Sequence, residues 1–212
     1  MDFLPPQIHD YIIEHSEKES DLLFKLNRET HLKAILPQML SGHPQGLVLK
    51  MFSNMIRPKT ILEIGTYTGY SAICLAEGLD KDGILHTIDN NEELYERAGN
   101  YFEKAGFKNK IIQHLGNAKD IIPDINCLFD LIFIDADKQS YSIYFDLIIN
   151  KLKAGGFIIA DNVLWSGRVT EKNKDSDTKA IDRFNKKILA DNRVEVVIMP
   201  IRDGISVIRK IS

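Results

Sequence analysis

Apolar positions change their rhythm at about residue 58. Before it they recur at helical spacing: Ile8, Tyr11 and Ile12, then Leu22, Leu23 and Leu26, then a mostly apolar stretch through Leu47, Leu49, Met51, Phe52 and Met55. Pro37, the segment Ser41-Gly42-His43-Pro44 and Arg57-Pro58 punctuate this region. Beyond it, short apolar runs alternate with longer amphipathic ones. The runs TILEI (60–64), ILHTID (84–89), KIIQHL (110–115), LIFID (131–135), GFIIAD (156–161), VEVVIMP (194–200) and GISVIRK (204–210) predict strands. The stretches 69–79, 92–105, 139–152 and 178–190 predict helices. Helix-length connections imply parallel strands joined by right-handed crossovers. Only Ile201-Arg202-Asp203 separates the last two runs, which makes them antiparallel neighbours. The prediction is one α/β domain over 1–212, with a helical segment (1–58) preceding a Rossmann-like core (59–212) that has helices on both faces and an antiparallel hairpin at its end.

Composition narrows the setting. A chain of 212 residues, 44% hydrophobic and 27% charged, suits one domain with a substantial core. No apolar run reaches membrane-spanning length. The start MDFLPPQIHD lacks a basic-then-apolar leader pattern, so a cytoplasmic location is expected. Cys74 and Cys127 form no C-x-x-C pair and read as small packing groups, and the six histidines show no ligand spacing. A net charge of -3 gives no general case for nonspecific nucleic-acid binding.

Two constellations carry chemistry. The first is E-I-G-T-Y-T-G-Y-S (63–71), between the first strand and its helix. Gly65 and Gly69 permit a tight turn and close backbone approach to a ligand. Asp89, ending the next strand, stands where an open α/β sheet places an acid against ribose hydroxyls. This is not the dinucleotide fingerprint: Tyr67 and Tyr70 occupy positions that G-x-G-x-x-G reserves for glycine. Glu63 would repel a pyrophosphate and suits a cationic group, such as the amino group of a methionine moiety. A nicotinamide-dependent oxidoreductase is the different-class alternative, and an ordinary tight turn the bland one.

The second constellation joins D-A-D-K (135–138) to D-N (161–162). Parallel strands bring both ends to one sheet edge. Asp135, Asp161 and Asn162 then offer two carboxylates and an amide oxygen, a set suited to Mg²⁺, or to Mn²⁺ or Ca²⁺. Lys138 beside a dication would have a lowered pKa and could serve as a base; otherwise it is a solvated lysine. Asp137 either helps bind the cofactor or makes a surface salt bridge. Trp165 is either core packing or a wall for a flat substrate.

These motifs, with D-A-D-K-Q-S-Y, D-N-V-L-W-S-G and the closing I-M-P-I-R-D-G-I-S-V-I-R-K, resemble the cation-dependent O-methyltransferase family of plant caffeoyl-CoA and animal catechol enzymes, from about Pro37 to the end. The resemblance implies a class I methyltransferase fold of seven strands and S-adenosylmethionine as cofactor. It implies metal ligation by Asp135, Asp161 and Asn162, and cofactor contacts at Glu63, Gly65, Tyr67, Gly69, Ser71, Asp89, Ala118, Asp135 and Asp137. Met39 and Ser41, in M-L-S-G-H-P-Q-G, match contacts from the N-terminal region. Lys138 and Asp135 match the catalytic pair, and Trp165 and Ser166 face the substrate. The plant enzymes usually carry Asn at the position of Ser166. The implied acceptor is a small hydroxylated aromatic with adjacent oxygens. A hydroxyuridine in tRNA is the alternative, for which Arg168, Lys172 and Lys174 in the loop 167–178 would contact phosphate. A homodimer is expected.

Overall fold

The computed structural model describes residues 5–212; residues 1–4, on which the reading of MDFLPPQIHD partly rests, lie outside the described residues. Three helices open the chain: α1 (Pro6–Glu14), α2 (Asp21–Lys33) and α3 (Gly42–Ile56). The Ser20 side chain accepts the Leu23 N–H and caps α2. Arg57, in the left-handed region at φ 51°, ends α3 just before Pro58.

The core then alternates: β1 (Thr60–Ile64), α4 (Tyr70–Ala76), β2 (Ile84–Asp89), α5 (Glu92–Lys104), β3 (Ile111–Leu115), α6 (Ala118–Asp124), β4 (Phe129–Ile134), α7 (Tyr141–Ile148), β5 (Leu152–Ala160), α8 (Ser176–Ala190), β6 (Val194–Met199) and β7 (Ile205–Lys210). All seven predicted strands form. β4 and β5 begin earlier than their apolar runs, with a register irregularity between Phe129 and Leu131. The short helix α6 is absent from the periodicity reading. It is only seven residues long, carries Pro123 and is started by the Asn117 side chain.

The sheet order is β3-β2-β1-β4-β5-β7-β6, with β7 alone reversed. Central strands bury both faces, so alternate residues enter two different cores. Leu62 and Ile132 join Phe145 and Phe184 on one side, and Ile61 and Leu131 join Leu49 and Phe102 on the other. The chain winds outward from β1 in one direction and from β4 in the other. The carboxyl ends of β1 and β4 therefore border the crevice where such sheets bind ligands. Among the described residues no helix is long and apolar enough to cross a membrane.

Candidate active site

The turn leaving β1 is shaped by glycine. Gly65 has φ 107°, and a Cβ there would lie 1.9 Å from the Asp135 carbonyl oxygen. Any side chain would therefore drive β1 and β4 apart. Gly69, at φ 89°, starts α4 with its α-carbon against Phe102. Between them Tyr67 sits at φ 47° and donates its N–H to Asp89 Oδ2 at 2.7 Å. The other oxygen of Asp89 accepts the Asn91 N–H at 2.9 Å. The ends of β1 and β2 are thus locked together, and Asp89 is held at the mouth of the crevice.

Beneath this turn Glu63 is wholly buried. Its Oε2 accepts the Thr87 hydroxyl at 2.5 Å, while its Oε1 makes no well-formed hydrogen bond. Burial pushes the carboxyl up to about 8; the Ser71 and Thr87 hydroxyls pull the other way, and Asp135 and Asp89 add to the rise. A buried acid with an open oxygen fits the amino group of a methionine moiety, which would supply the missing donor and charge.

Two cavities meet over the turn. The larger, about 990 Å³, holds Met39, Ser41 and Ser71 on one side and Lys138, Asp161, Asn162 and Trp165 on the other. The smaller, about 670 Å³, holds Asp89 and Ala118. Gly65, Tyr67, Asp135 and Asp137 line both. Glu63 and Gly69 lie beneath the lining rather than in it. Ser166 is also outside it: its N–H is bonded to the Asp203 carboxylate.

At the ends of β4 and β5, Asp161 is 2% exposed. Its Oδ1 accepts the Asn162 N–H at 2.7 Å and its Oδ2 the Gln45 side chain at 2.5 Å. Burial and then the Asp135 charge raise its pKa. Among the described residues it makes no salt bridge, and Lys138, paired with Asp135, acts on it only at longer range, so a hard cation would offset most of a buried negative charge. Asn162 holds φ 57°, a left-handed conformation that asparagine tolerates. Among the described residues no third carboxylate, histidine or cysteine completes a cluster here. The donor set is therefore two carboxylates and an amide, all oxygen, which fits Mg²⁺ or Mn²⁺.

Lys138 is not a solvated lysine. Its side chain is 10% exposed, and Nζ donates to Asp135 Oδ1 at 3.0 Å and to the Tyr141 hydroxyl at 2.8 Å. Nζ also lies 5.8 Å from the centre of the Trp165 ring. Burial disfavours its charge, but Tyr141, Asp135 and Asp161 outweigh this and raise its pKa. Tyr141 and the two carboxylates thus shift it opposite to the lowering that a neighbouring dication would produce. Tyr141 passes its own proton toward the Asp161 carbonyl at 3.1 Å, tying the lysine to the end of β5.

Asp137 makes no surface salt bridge among the described residues. Its two oxygens accept the Ser140 N–H at 3.0 Å and the Tyr144 hydroxyl at 2.6 Å, so it starts the turn into α7 while lining both cavities. Trp165, at φ 47°, forms part of the cavity wall with its indole N–H buried and unpartnered. Gln45, Tyr141 and Arg202 are site residues that the sequence reading left unassigned. All three lie inside quoted motifs, M-L-S-G-H-P-Q-G, D-A-D-K-Q-S-Y and I-M-P-I-R-D-G-I-S-V-I-R-K, yet spacing alone gives no reason to single them out. The histidines contain one pair invisible in sequence: His86 Nδ1 and His114 Nε2 are 3.0 Å apart across β2 and β3.

Comparison with known proteins agrees with this architecture. A family profile described as O-methyltransferase matches residues 13–211. The match includes most of the N-terminal segment for which no resemblance was visible before Pro37. Caffeoyl-CoA O-methyltransferase 1 of Arabidopsis thaliana is 34% identical, covering 97% of this chain and 85% of the plant protein. A probable caffeoyl-CoA O-methyltransferase of Dictyostelium discoideum is 32% identical over 97% and 92% of the two chains. The O-methyltransferase TomG of Streptomyces achromogenes, solved in complex with SAM, superposes with a TM-score of 0.90 at 29% identity, over 97% of this chain and 96% of that one. The SAH-bound methyltransferase PaMTH1 of Podospora anserina gives 0.90 at 26% identity over the whole of both chains. The chain belongs to the O-methyltransferase family, the S-adenosylmethionine-dependent enzymes that include the caffeoyl-CoA O-methyltransferases.

Proposed function

We propose that this enzyme methylates a hydroxyl of a small aromatic acceptor bearing two adjacent oxygens, with a divalent cation held by Asp135, Asp161 and Asn162. The observation that carries the reading is Asp161: a buried carboxylate without an ion-pair partner, facing the same cavity as Gly65 and Ser71. When bound, the cofactor supplies an electrophilic methyl group, and the cation supplies Lewis acidity that orients and acidifies adjacent oxygens. Glu63, Asp89 and the Gly65 turn would hold the methionine and ribose ends of the cofactor, with Met39 and Ser41 closing over it and Ala118 bordering the base.

Lys138, which lines the same cavity, would take the acceptor's proton at Nζ. Its charge is now held by Asp135 and Tyr141. With Asp135 engaged elsewhere, Lys138 loses its ion-pair partner and yields its proton more readily. Once Lys138 is protonated by the acceptor, Tyr141 and the Trp165 ring face stabilise the ammonium. Trp165 supports a flat ring against the cavity wall.

The small acceptor is favoured over tRNA by the loop 167–178. Arg168 is paired with Asp175 at 2.8 Å and Lys174 shares Asp182 with Lys186, at 2.6 and 2.9 Å, which leaves Lys172 as the one cation of the three without an ion pair among the described residues to offer phosphate. A homodimer belongs to the same proposal and rests on exposed apolar residues of the N-terminal helices, such as Tyr11 and Leu32. Labelled S-adenosylmethionine with a panel of catechols, caffeoyl thioesters and hydroxylated tRNA tests the acceptor. Transfer to catechols or caffeoyl thioesters, abolished by EDTA and restored by Mg²⁺ or Mn²⁺, is the expected result. Transfer undiminished in the metal-free protein, or to tRNA alone, would overturn it.

A further inference from the structure

Asp161 has a neighbour that the chemistry above does not use. Gln45, on α3, is 1% exposed, and its Nε2 lies 2.5 Å from Asp161 Oδ2. Its Oε1 accepts from Arg202 Nη1 at 2.8 Å. Arginine only donates, so the Gln45 oxygen must face Arg202 and the amide N–H₂ must face Asp161. Arg202 therefore fixes which end of the amide meets the carboxylate.

Arg202 is itself anchored. It stands in the turn between β6 and β7, at φ 48°, and also donates to the carbonyls of Ser41 and Leu40. The next residue, Asp203, accepts the Ser166 N–H. One hairpin tip thus gathers the segment before α3, the loop after β5 and the Gln45 amide around the end of β5.

We propose that Gln45 is a positioning residue for Asp161, its amide oriented by Arg202, so that the carboxylate is presented to the cation in one fixed plane. The inference rests on the reading of Asp161 as a metal ligand. With Gln45 on Oδ2 and the Asn162 N–H on Oδ1, rotation of the carboxylate breaks one bond or the other. Each oxygen keeps a second lone-pair direction free for a ligand. The neutral amide is the informative choice. A lysine or arginine at this place would hold Asp161 as well but would cancel the charge that a cation needs. The protein instead puts its lysine on Asp135 and a neutral donor on Asp161. Partners that orient ligating carboxylates in this way change metal affinity about 10–100-fold when removed.

The test measures Mn²⁺ affinity from the paramagnetic signal of the free ion, in the full chain saturated with S-adenosylhomocysteine. The variants are Gln45→Met, Arg202→Met and the double substitution. Gln45→Met should weaken Mn²⁺ binding at least about tenfold. Arg202→Met should weaken it in the same direction, and the double variant should bind no worse than Gln45→Met within about twofold, because Arg202 acts through Gln45. Wild-type protein that binds one Mn²⁺ while Gln45→Met binds it within twofold as well would overturn the inference and leave the metal site standing. Wild-type protein that binds no Mn²⁺ would overturn both. Should Gln45→Met fail to fold, unchanged Mn²⁺ affinity in Arg202→Met overturns the relay, and a loss supports it.

Discussion

Replacing Glu63 by glutamine separates the demands of folding from those of cofactor binding. With its carboxyl at about 8 in the folded, ligand-free protein and 4.5 as the ordinary value, Glu63 carries a proton at neutral pH. A folded-state pKa raised in this way contributes stability that is complete below about pH 4.5 and is lost as the pH rises through about 8. Between pH 5 and pH 9 that loss is on the order of 4 kcal/mol. The neutral Glu63→Gln variant escapes it, so its melting temperature should gain on the wild type as the pH rises, by about 2–4 °C per kcal/mol. Cofactor binding should run the other way. Pairing with a cationic amino group requires the carboxylate, and ionising Glu63 at pH 7 costs about 1.4 kcal/mol, or tenfold in affinity. Wild-type protein should then release about 0.9 proton on binding S-adenosylhomocysteine at pH 7, and its affinity should rise roughly 50-fold from pH 6 to pH 8. Calorimetry in two buffers of different ionisation enthalpy reads the proton directly. Glu63→Gln should abolish that release and bind more weakly at pH 8. A melting difference between variant and wild type that does not change with pH, together with proton release that survives the substitution, would refute the reasoning.

Two other substitutions probe the same crevice. Gly65→Ala places a methyl 1.9 Å from the Asp135 carbonyl oxygen at a backbone φ of 107°, so it should destabilise the fold by about 3 kcal/mol or more and lower cofactor affinity. Thermal melting with and without S-adenosylhomocysteine checks this, and a wild-type melting temperature would contradict it. Lys138→Met removes the proton acceptor but leaves the β1 turn untouched; kcat should fall about 10²–10⁴-fold with S-adenosylhomocysteine affinity within a few-fold of wild type. A variant that keeps wild-type kcat would remove Lys138 from the chemistry.

The strands were legible because the central ones are buried on both faces and read as continuous apolar runs, as in LIFID and GFIIAD. Parallel topology then brought Gly65, Asp135 and Asp161 to one edge without further information, since each directly follows a strand. What stayed hidden depends on contacts between distant segments. Gln45 meets Asp161 across 116 positions, and Arg202 meets Gln45 across 157; neither has a spacing to betray it. The direction of the Lys138 shift was equally invisible, because Tyr141, Asp135 and Asp161 raise it against the opposing effect of burial. Helix α6 was missed for a local reason: Pro123 and a length of two turns leave no periodic signal, and the Asn117 cap is a single residue.

The most direct measurement is a crystal grown with S-adenosylhomocysteine, soaked in Mn²⁺ and recorded at the manganese absorption edge. One strong anomalous peak is expected, bounded by Asp135, Asp161 and Asn162 at about 2.0–2.3 Å from their side-chain oxygens, with the product sulfur facing it across the Gly65 turn. An empty space between those side chains, or a peak elsewhere in the molecule, would contradict it.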